Sequence, residues 1–595
     1  MEGLADDEFR LLILLPGDFN EPLRCDLSTS NLTNHPPYEA LSYVWGSNAD
    51  TVEIEVASKR LAITRSVEAM LYRLRQPFNP RTLWIDQLCI DQSNQLEKTS
   101  QVQKMRLIYS RCEHVLVWLG HIADEIRRED AENALALIEY MAAFSSGNGS
   151  PVRPRPECME SDGLFVDAMK ALSTVSVTQG PWWHRVWTVQ EGILPSSLLF
   201  IWGPLSVSWA TVSSASIMWV RGGSMSSWQM SVAQAVGDMR HLMARVIWMN
   251  TSGEGHDKPI DRSIKWRDRA ATDSRDNVFA LTGLYTEKEL PRSSKCDYSL
   301  GVNQVFIEFT LDLIYGGNRG KEVNLLPLAL DPWQQDAVEI SGLPHWAMDM
   351  RSIPKQNAGL WRTYWFYRHW ESNKGLPQTG RPEYTGQSLQ MSGVLVDTVD
   401  FVGTGLVYLA NNPKEVDVGW PLGIRETIAS WWNLLCNDKN QHLPASLPRL
   451  SPTNCSEYEL FCRLVLGDTL EGRSHWPAKW ATNQDRQELS DYLRTGNDNG
   501  IMRNHARHQL RNRRFFVTKK GLLGLGHLET SPGDEVWVFN HGRVPFTLRR
   551  SGTPGSAANE NGEDYEFRGH CYVQGIMMGL GRALADLEQR RVCLH

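Results

Sequence analysis

The sequence predicts an α/β protein with three parts: a parallel sheet in the N-terminal domain, a helical region, and a small antiparallel β domain. The clearest evidence is residues 83–120, where a short apolar strand, a polar turn, an amphipathic helix and a continuous apolar run at 115–119 follow one another. Uninterrupted apolar runs suit strands that are covered on both faces, as in parallel sheets. Farther along, apolar and polar residues alternate at 388–403 and 513–550, which is typical of half-exposed antiparallel strands.

The chain has 595 residues, which is long enough for more than one hydrophobic core. We predict an N-terminal domain at 1–205, a mainly helical region at 206–385, and a β-rich domain built from 386–410 and 511–582 around a helical insertion at 411–510. The elements expected in the first domain are strands at 9–15, 38–45, 52–56, 83–86 and 115–119, helices at 131–143 and 164–173, and a Gly/Ser/Pro-rich surface loop at 145–156. The two β-rich segments should share one sheet, because a single hairpin cannot bury a face alone.

Composition and charge argue against several functional classes. A net charge of −8 with 22% charged residues argues against nucleic-acid binding through overall positive charge, and the basic run at 503–514 fits a solvated helix face better than such a site. The ten cysteines form no CxxC pair and no zinc-site spacing, so we expect no metal and a reduced, cytoplasmic protein. The apolar stretch at 11–15 is too short to span a membrane. The chain contains neither GxGxxG nor a Walker A sequence, which argues against ordinary dehydrogenases and P-loop NTPases.

Polar residues follow the strand at 83–85, at the edge where open α/β sheets place their ligand sites. They are Asp86, Cys89, Asp91 and Gln92. Asp86 could hold a ribose hydroxyl or polarise a water, or it could cap the next turn. Cys89 could be a nucleophile if a histidine stood beside it, although a small buried apolar side chain describes it better.

A second candidate is Glu191, which ends a tryptophan-rich segment containing Trp183, Arg185, Trp187 and Gln190. A carboxylate among tryptophans would be partly desolvated, and its raised pKa or unscreened charge could serve a general base or stabilise an oxocarbenium cation. The alternative is a salt bridge between Glu191 and Arg185 that locks the segment to the sheet.

Three blocks of sequence occur in order: YEALSYVWG at 38–46, WIDQLCIDQ at 84–92 and WWHRVWTVQE at 182–191. Together they resemble the fungal heterokaryon-incompatibility (HET) domain, over roughly the first third of the chain. The resemblance implies a ligand site lined by Tyr43, Trp45, Gly46, Asp86, Cys89, Gln92, Arg185, Trp187 and Gln190. It implies structural or motif roles for Glu97, Gln101, Tyr109 and Trp183. By spacing alone, Glu97 and Gln101 fit either a solvated helix face or the lining of a site.

The HET domain is in turn similar to the Toll/interleukin-1 receptor (TIR) domain, which implies a five-stranded, parallel, flavodoxin-like sheet. By that resemblance Glu191 is the catalytic carboxylate of an NAD glycohydrolase, Trp187 matches a motif tryptophan, and Thr188 replaces the motif cysteine. A fungal protein that triggers incompatibility-type cell death is implied. Two functions remain open: cleavage of NAD or a related nucleotide as a substrate, with no bound cofactor, and non-catalytic signalling through self-association or protein partners. No nucleic-acid or membrane partner is expected.

Overall fold

The computed structural model describes only part of the chain. The described residues are 3–46, 49–145, 154–176, 179–220, 239, 242–243, 245–251, 257–316, 323–329, 342–351, 370–377, 380–386, 388–406, 424–437, 457–470, 479–496, 510, 513–551, 563–579 and 587–595. The chain divides into two compact units, Met1–Val302 with Met350–Ile353, and Asn303–Asp349 with Pro354–His595. The domain predicted at 1–205 lies within the first unit. The loop predicted at 145–156 and the basic run at 503–514 lie largely outside the described residues.

One mixed sheet of nine strands forms the centre of the first unit. Its strands are β1 (Glu8–Leu14), β2 (Arg24–Asn31), β3 (Glu39–Ser42), β4 (Thr51–Val56), β5 (Lys59–Thr64), β6 (Arg81–Trp84), β7 (Val115–Trp118), β8 (Leu198–Trp202) and β9 (Leu205–Ser208). Their spatial order is β5-β4-β2-β1-β6-β3-β7-β8-β9. The five strands predicted in this region are all present.

The centre of the sheet is parallel, as its apolar runs predict: β3 pairs parallel with β6 and β7, and β7 with β8. The prediction of a wholly parallel sheet is wrong toward both edges, where β1, β2, β5 and β9 pair antiparallel with a neighbour. Exposure accounts for part of the difference, since β1 is antiparallel although it is mostly buried. Every residue of β7 is buried, whereas much of β2 and β4 is exposed, and antiparallel strands tolerate one solvated face.

Helices connect many of the strands of this sheet. In the first unit they are α1 (Arg65–Leu74), α2 (Asp86–Cys89), α3 (Gln95–Arg111), α4 (Arg128–Ser145), α5 (Asp162–Val175), α6 (Trp187–Ile193), α7 (Trp209–Val220), α8 (Pro259–Lys265) and α9 (Asp276–Thr282). The side chain of Asn94 starts α3 by accepting the backbone N–H groups of Leu96 and Glu97. The two predicted helices correspond to α4 and α5.

The second unit contains a second nine-stranded sheet and further helices. The helices are α10 (Val302–Tyr315, from Asn303 onward), α11 (Ile424–Asn437), α12 (Glu457–Leu466) and α13 (Asn483–Thr495). The strands of the large sheet are β10 (Glu383–Tyr384), β11 (Leu389–Leu406), β14 (Arg513–Thr518), β15 (Leu523–His527), β16 (Glu535–Phe539), β17 (Phe546–Arg550), β18 (Glu563–His570), β19 (Tyr572–Val573) and β20 (Gln589–Leu594). The short strands β12 (Thr469–Leu470) and β13 (Lys479–Trp480) pair separately.

The long strand β11 organises this sheet, because it pairs antiparallel with β14, β16 and β20. The chain of pairings β16-β17-β18-β20 therefore closes on β11, and closure removes exposed strand edges. The pairing expected between 386–410 and 511–582 is present. One pair, β18 with β20, is parallel. Among the described residues, no helix combines the length and the apolar character needed to cross a membrane.

Candidate functional site

The candidate site lies where three sequence blocks meet at one edge of the parallel strands. Strands β3 and β6 are parallel neighbours, with Ala40 opposite Trp84. Their carboxyl ends therefore lie at the same edge of the sheet. The first block then supplies Ser42 at the end of β3, followed by Tyr43 and Trp45, and the second supplies Asp86 at the start of α2. The third block supplies Arg185 and, on α6, Glu191. We call Ser42, Tyr43, Trp45, Asp86, Arg185 and Glu191 the Asp86–Glu191 site.

Asp86 receives hydrogen bonds from two blocks. Tyr43 donates its hydroxyl to Oδ1 at 2.9 Å, and Trp45 donates its indole N–H to Oδ2 at 2.7 Å. The backbone N–H of Gln87 also donates to Oδ1 at 2.8 Å, although the N-cap position of α2 is Ile85 and Asp86 does not cap the helix. Burial raises the pKa of the Asp86 carboxyl, against the lowering effects of Arg185 and these hydrogen bonds. The residue is only half-buried.

Glu191 lies deeper and is 5% exposed. Its Oε2 accepts a short hydrogen bond from the Ser42 hydroxyl, and the indole N–H of Trp182 donates to Ser42 Oγ at 2.7 Å. Burial is the main reason that the pKa of Glu191 is raised to about 7; Arg185 and the Ser42 hydrogen bond lower the pKa, and the charge of Asp86 raises it. The site therefore holds two carboxylates that resist ionisation, and Glu191 is one that can exchange a proton near neutral pH.

Arg185 does not form the salt bridge considered from the sequence. Its guanidinium donates to the backbone oxygen of Tyr43, and the hydrogen bond to Glu191 comes from Ser42 instead. Arg185 is half-buried and acts on both carboxylates through its charge. It therefore ties the third block to the first across the edge of the sheet.

Of the remaining candidate ligand residues, two are exposed and two lie on α6. Gln92 is exposed and donates its amide to the backbone oxygen of Asp86 at 2.9 Å, and Gly46, also exposed, turns the chain after Trp45 with φ +77°. Trp187 is half-buried, and its indole lowers the pKa of the Asp276 carboxyl. The Gln190 side chain is 1% exposed and packs against Gly283.

Cys89 is a buried apolar residue, as the sequence favours. It is 1% exposed, its sulfur accepts the backbone N–H of Ile85, and burial raises the pKa of its thiol to about 12. A thiol in that state is a poor nucleophile at neutral pH.

Glu97 and Gln101 are neither solvated nor part of the Asp86–Glu191 site. Glu97 forms a buried ion pair with Arg10 of β1, and Gln101 donates its amide to the backbone oxygen of Glu8 at 3.0 Å. Both fasten α3 to β1. Helical spacing predicted that they share a face, but their partners lie about 90 residues earlier in the chain, so no local pattern could identify them.

Two aromatic motif residues hold the strands around the site. The hydroxyl of Tyr109 donates to the backbone oxygen of Leu41 at 3.0 Å, next to Ser42 in β3. The indole of Trp183 donates to the backbone oxygen of Val175 at 3.0 Å, and its ring packs among Trp182 and Phe200. Their roles are structural.

Three residues at or beside the site were not identified from the sequence: Ser42, Trp182 and Arg269. Ser42 and Trp182 both lie inside the recognised blocks, so their position in the motifs was the available signal. Arg269 lies far outside those blocks, and its nearest sequence neighbours gave no indication of a site.

Comparisons with known proteins identify two related domains and one related protein. Residues 38–191 match the family model for the heterokaryon incompatibility protein (HET), and residues 473–593 match that for the Het-6 beta-barrel domain. The chain is 24% identical to heterokaryon incompatibility protein 6, OR allele, of Neurospora crassa, over 98% of this chain and 95% of that protein. No solved structure matches the chain. The chain is therefore similar to a heterokaryon incompatibility protein along nearly its whole length, with a HET match at 38–191 and a Het-6 beta-barrel match at 473–593.

Proposed function

We propose that this protein triggers an incompatibility-type cell death, and that its Asp86–Glu191 site cleaves the nicotinamide–ribose bond of NAD or a related nucleotide. The observation that carries the proposal is the pairing of a buried carboxylate, Glu191, with a half-buried one, Asp86, beside the half-buried cation Arg185. The kinship with an incompatibility protein supports the biological role.

The two carboxylates suit different steps. Asp86 is partly exposed, so its carboxylate can bind ribose hydroxyls, and Arg185 offers a positive charge to a pyrophosphate. Glu191 lies behind them with a pKa of about 7, so near neutral pH it is partly ionised. An ionised, desolvated carboxylate stabilises the oxocarbenium ion formed as the C1′–N bond breaks.

The reaction balances without a cofactor. Nicotinamide leaves as a neutral molecule with the electron pair of the C1′–N bond. A water oxygen then bonds to C1′ and releases one proton, which Glu191 can accept. The products are nicotinamide, ADP-ribose and a proton.

The test is nicotinamide release by the purified full chain, alone and under conditions that cluster it. We expect Glu191→Gln to lower kcat by about 100-fold or more, which is typical of losing a general acid–base group. Asp86→Asn should mainly raise KM, because Asp86 is the accessible group. Glu53→Gln is the matched control, since Glu53 is an exposed carboxylate on β4. Absence of nicotinamide release from the clustered wild type, or a wild-type rate in Glu191→Gln, would overturn the proposal.

A second function has its own supporting observation. Glu191 is 5% exposed and its hydrogen bond to Ser42 is already made, as in a packed core. This enclosure favours a non-catalytic signalling module that acts by self-association. In that case a folded Glu191→Gln protein would still kill cells while consuming no NAD.

A further inference from the structure

The helix that carries Glu191 is held by a segment outside the region that matches the HET family. Residues 185 and 270 form a parallel β-bridge, in which Val186 donates its backbone N–H to Ala270 at 3.0 Å. On α6, Trp187 lies near Asp276, and its indole lowers the pKa of that carboxyl. Gln190 lies so close to Gly283 that a Cβ there would come within 1.5 Å of its amide nitrogen. The family match ends at residue 191, so all three contacts join the matched region to a later part of the same unit.

Arg269 is the most deeply buried charged group of this later segment, with 1% exposure. Its Nη1 donates to Thr188 Oγ1 at 2.6 Å and to the backbone oxygen of Arg185 at 3.3 Å. The guanidinium also lies 4.7 Å from the centre of the Trp266 ring. Nε and Nη2 have no hydrogen-bond partner among the described residues.

Burying a guanidinium with two unsatisfied N–H groups is costly, so a stacking contact alone does not explain Arg269. The neighbouring charge with the largest effect on Arg269 is Arg245, which disfavours the protonated guanidinium, whereas Asp268 and Glu191 favour it. Arg269 in turn favours the ionised form of Glu191. Burial lowers the pKa of Arg269, but the guanidinium stays protonated at neutral pH.

We propose that Arg269 is a positioning residue of the Asp86–Glu191 site: it fastens α6 through Thr188 and Arg185 and supplies the buried positive charge that acts on Glu191. The site is therefore completed by residues after the matched HET region. A catalytic effect of Arg269 rests on the proposed function, whereas its effects on the protonation of Glu191 and on the anchoring of α6 do not. The other charged or titratable groups acting on Glu191 are Arg185 and Asp86, and Glu191 in turn acts on Tyr43 and Tyr109.

The experiment uses the full chain and two readouts that need no enzymatic activity. The first is the pH midpoint of the infrared carboxylic-acid band that disappears in Glu191→Gln, which reports the protonation of Glu191. The second is hydrogen exchange of the backbone amides at 185–191, which reports how firmly α6 is held. Arg269→Met removes both the charge and the hydrogen bonds, whereas Thr188→Val removes a hydrogen bond and keeps the charge.

We expect Arg269→Met to raise the Glu191 midpoint by about one pH unit, since losing a nearby positive charge disfavours the carboxylate. Thr188→Val should leave the midpoint within a few tenths of a unit and speed exchange at 185–191. A folded Arg269→Met protein with an unchanged midpoint would overturn the proposal. If Arg269→Met does not fold, Arg269→Lys decides: it should keep the midpoint and speed exchange, and unchanged exchange would refute the positioning role. Lack of NAD cleavage in the wild type would overturn only the proposed function.

Discussion

Replacing Glu191 by glutamine should change how stability depends on pH. The pKa of Glu191 rises from its ordinary value of 4.5 to about 7 on folding, because the ionised form is desolvated. A carboxyl whose folded-state pKa is raised contributes stability that is fully present below pH 4.5 and is lost as the pH rises through about 7. Above that range the wild type should have lost roughly 3 kcal/mol of this contribution, at 1.36 kcal/mol for each pKa unit.

Glutamine cannot ionise, so the variant lacks this loss. It keeps one oxygen to accept the Ser42 hydroxyl, but its NH₂ group needs a new partner, which adds a cost of about 1–3 kcal/mol that does not vary with pH. The free energy of unfolding of the variant, minus that of the wild type, should therefore rise by about 3 kcal/mol between pH 4.5 and 8.

The measurement is urea unfolding of both proteins at several pH values, because the difference between them cancels the groups they share. Asp86 is coupled to Glu191, so Asp86→Asn should be measured in parallel. A difference that stays constant between pH 4.5 and 8 would show that Glu191 is ionised normally in the folded protein. The acid–base role proposed for it would then fail on physical grounds.

Two further predictions concern packing and charge away from the carboxylates. Glu97→Gln breaks the buried ion pair with Arg10 and should cost about 3–5 kcal/mol of unfolding free energy, whereas Glu53→Gln, in an exposed pair, should cost less than about 1 kcal/mol; similar losses in urea titrations would contradict the assigned burial. Gly283→Ala should cost about 1–3 kcal/mol, because its methyl group would meet the buried amide on α6. Gly301→Ala has open space around it and should be nearly neutral, so equal melting temperatures for the two variants would refute the contact.

The sequence predicted the centre of the first sheet better than its edges. Strand β7 is a continuous apolar run, and all of its residues are buried. Such a run predicts a strand that is covered on both faces. Strand β2, with the sequence RCDLSTSN, is largely polar, and it is a strand because β1 pairs with it along seven residues. Tertiary pairing of this kind leaves little trace in local composition.

The site was predictable to the extent that it depends on topology. Asp86 and Tyr43 follow neighbouring parallel strands, so the sheet itself brings them to one edge. The partner of Glu191 was not predictable, because Ser42 lies 149 positions earlier in the chain and reaches Glu191 only through the tertiary fold. The sequence allows a salt bridge to Arg185, whereas in the structure the Ser42 hydroxyl donates to Glu191.

Thr188 shows why the recognised blocks do not by themselves define the site. By the TIR resemblance Thr188 stands where the motif has a cysteine. The sequence alone gives no reason for this difference from the motif. In the structure the Thr188 hydroxyl lies within donating distance of the backbone oxygens of Trp182 and Arg185. Its oxygen accepts a hydrogen bond from Nη1 of Arg269. A cysteine sulfur is a weak acceptor and would hold a guanidinium less well. Threonine at this position and arginine at 269 therefore form one unit, and the chemistry of Glu191 depends on a residue about 80 positions beyond it.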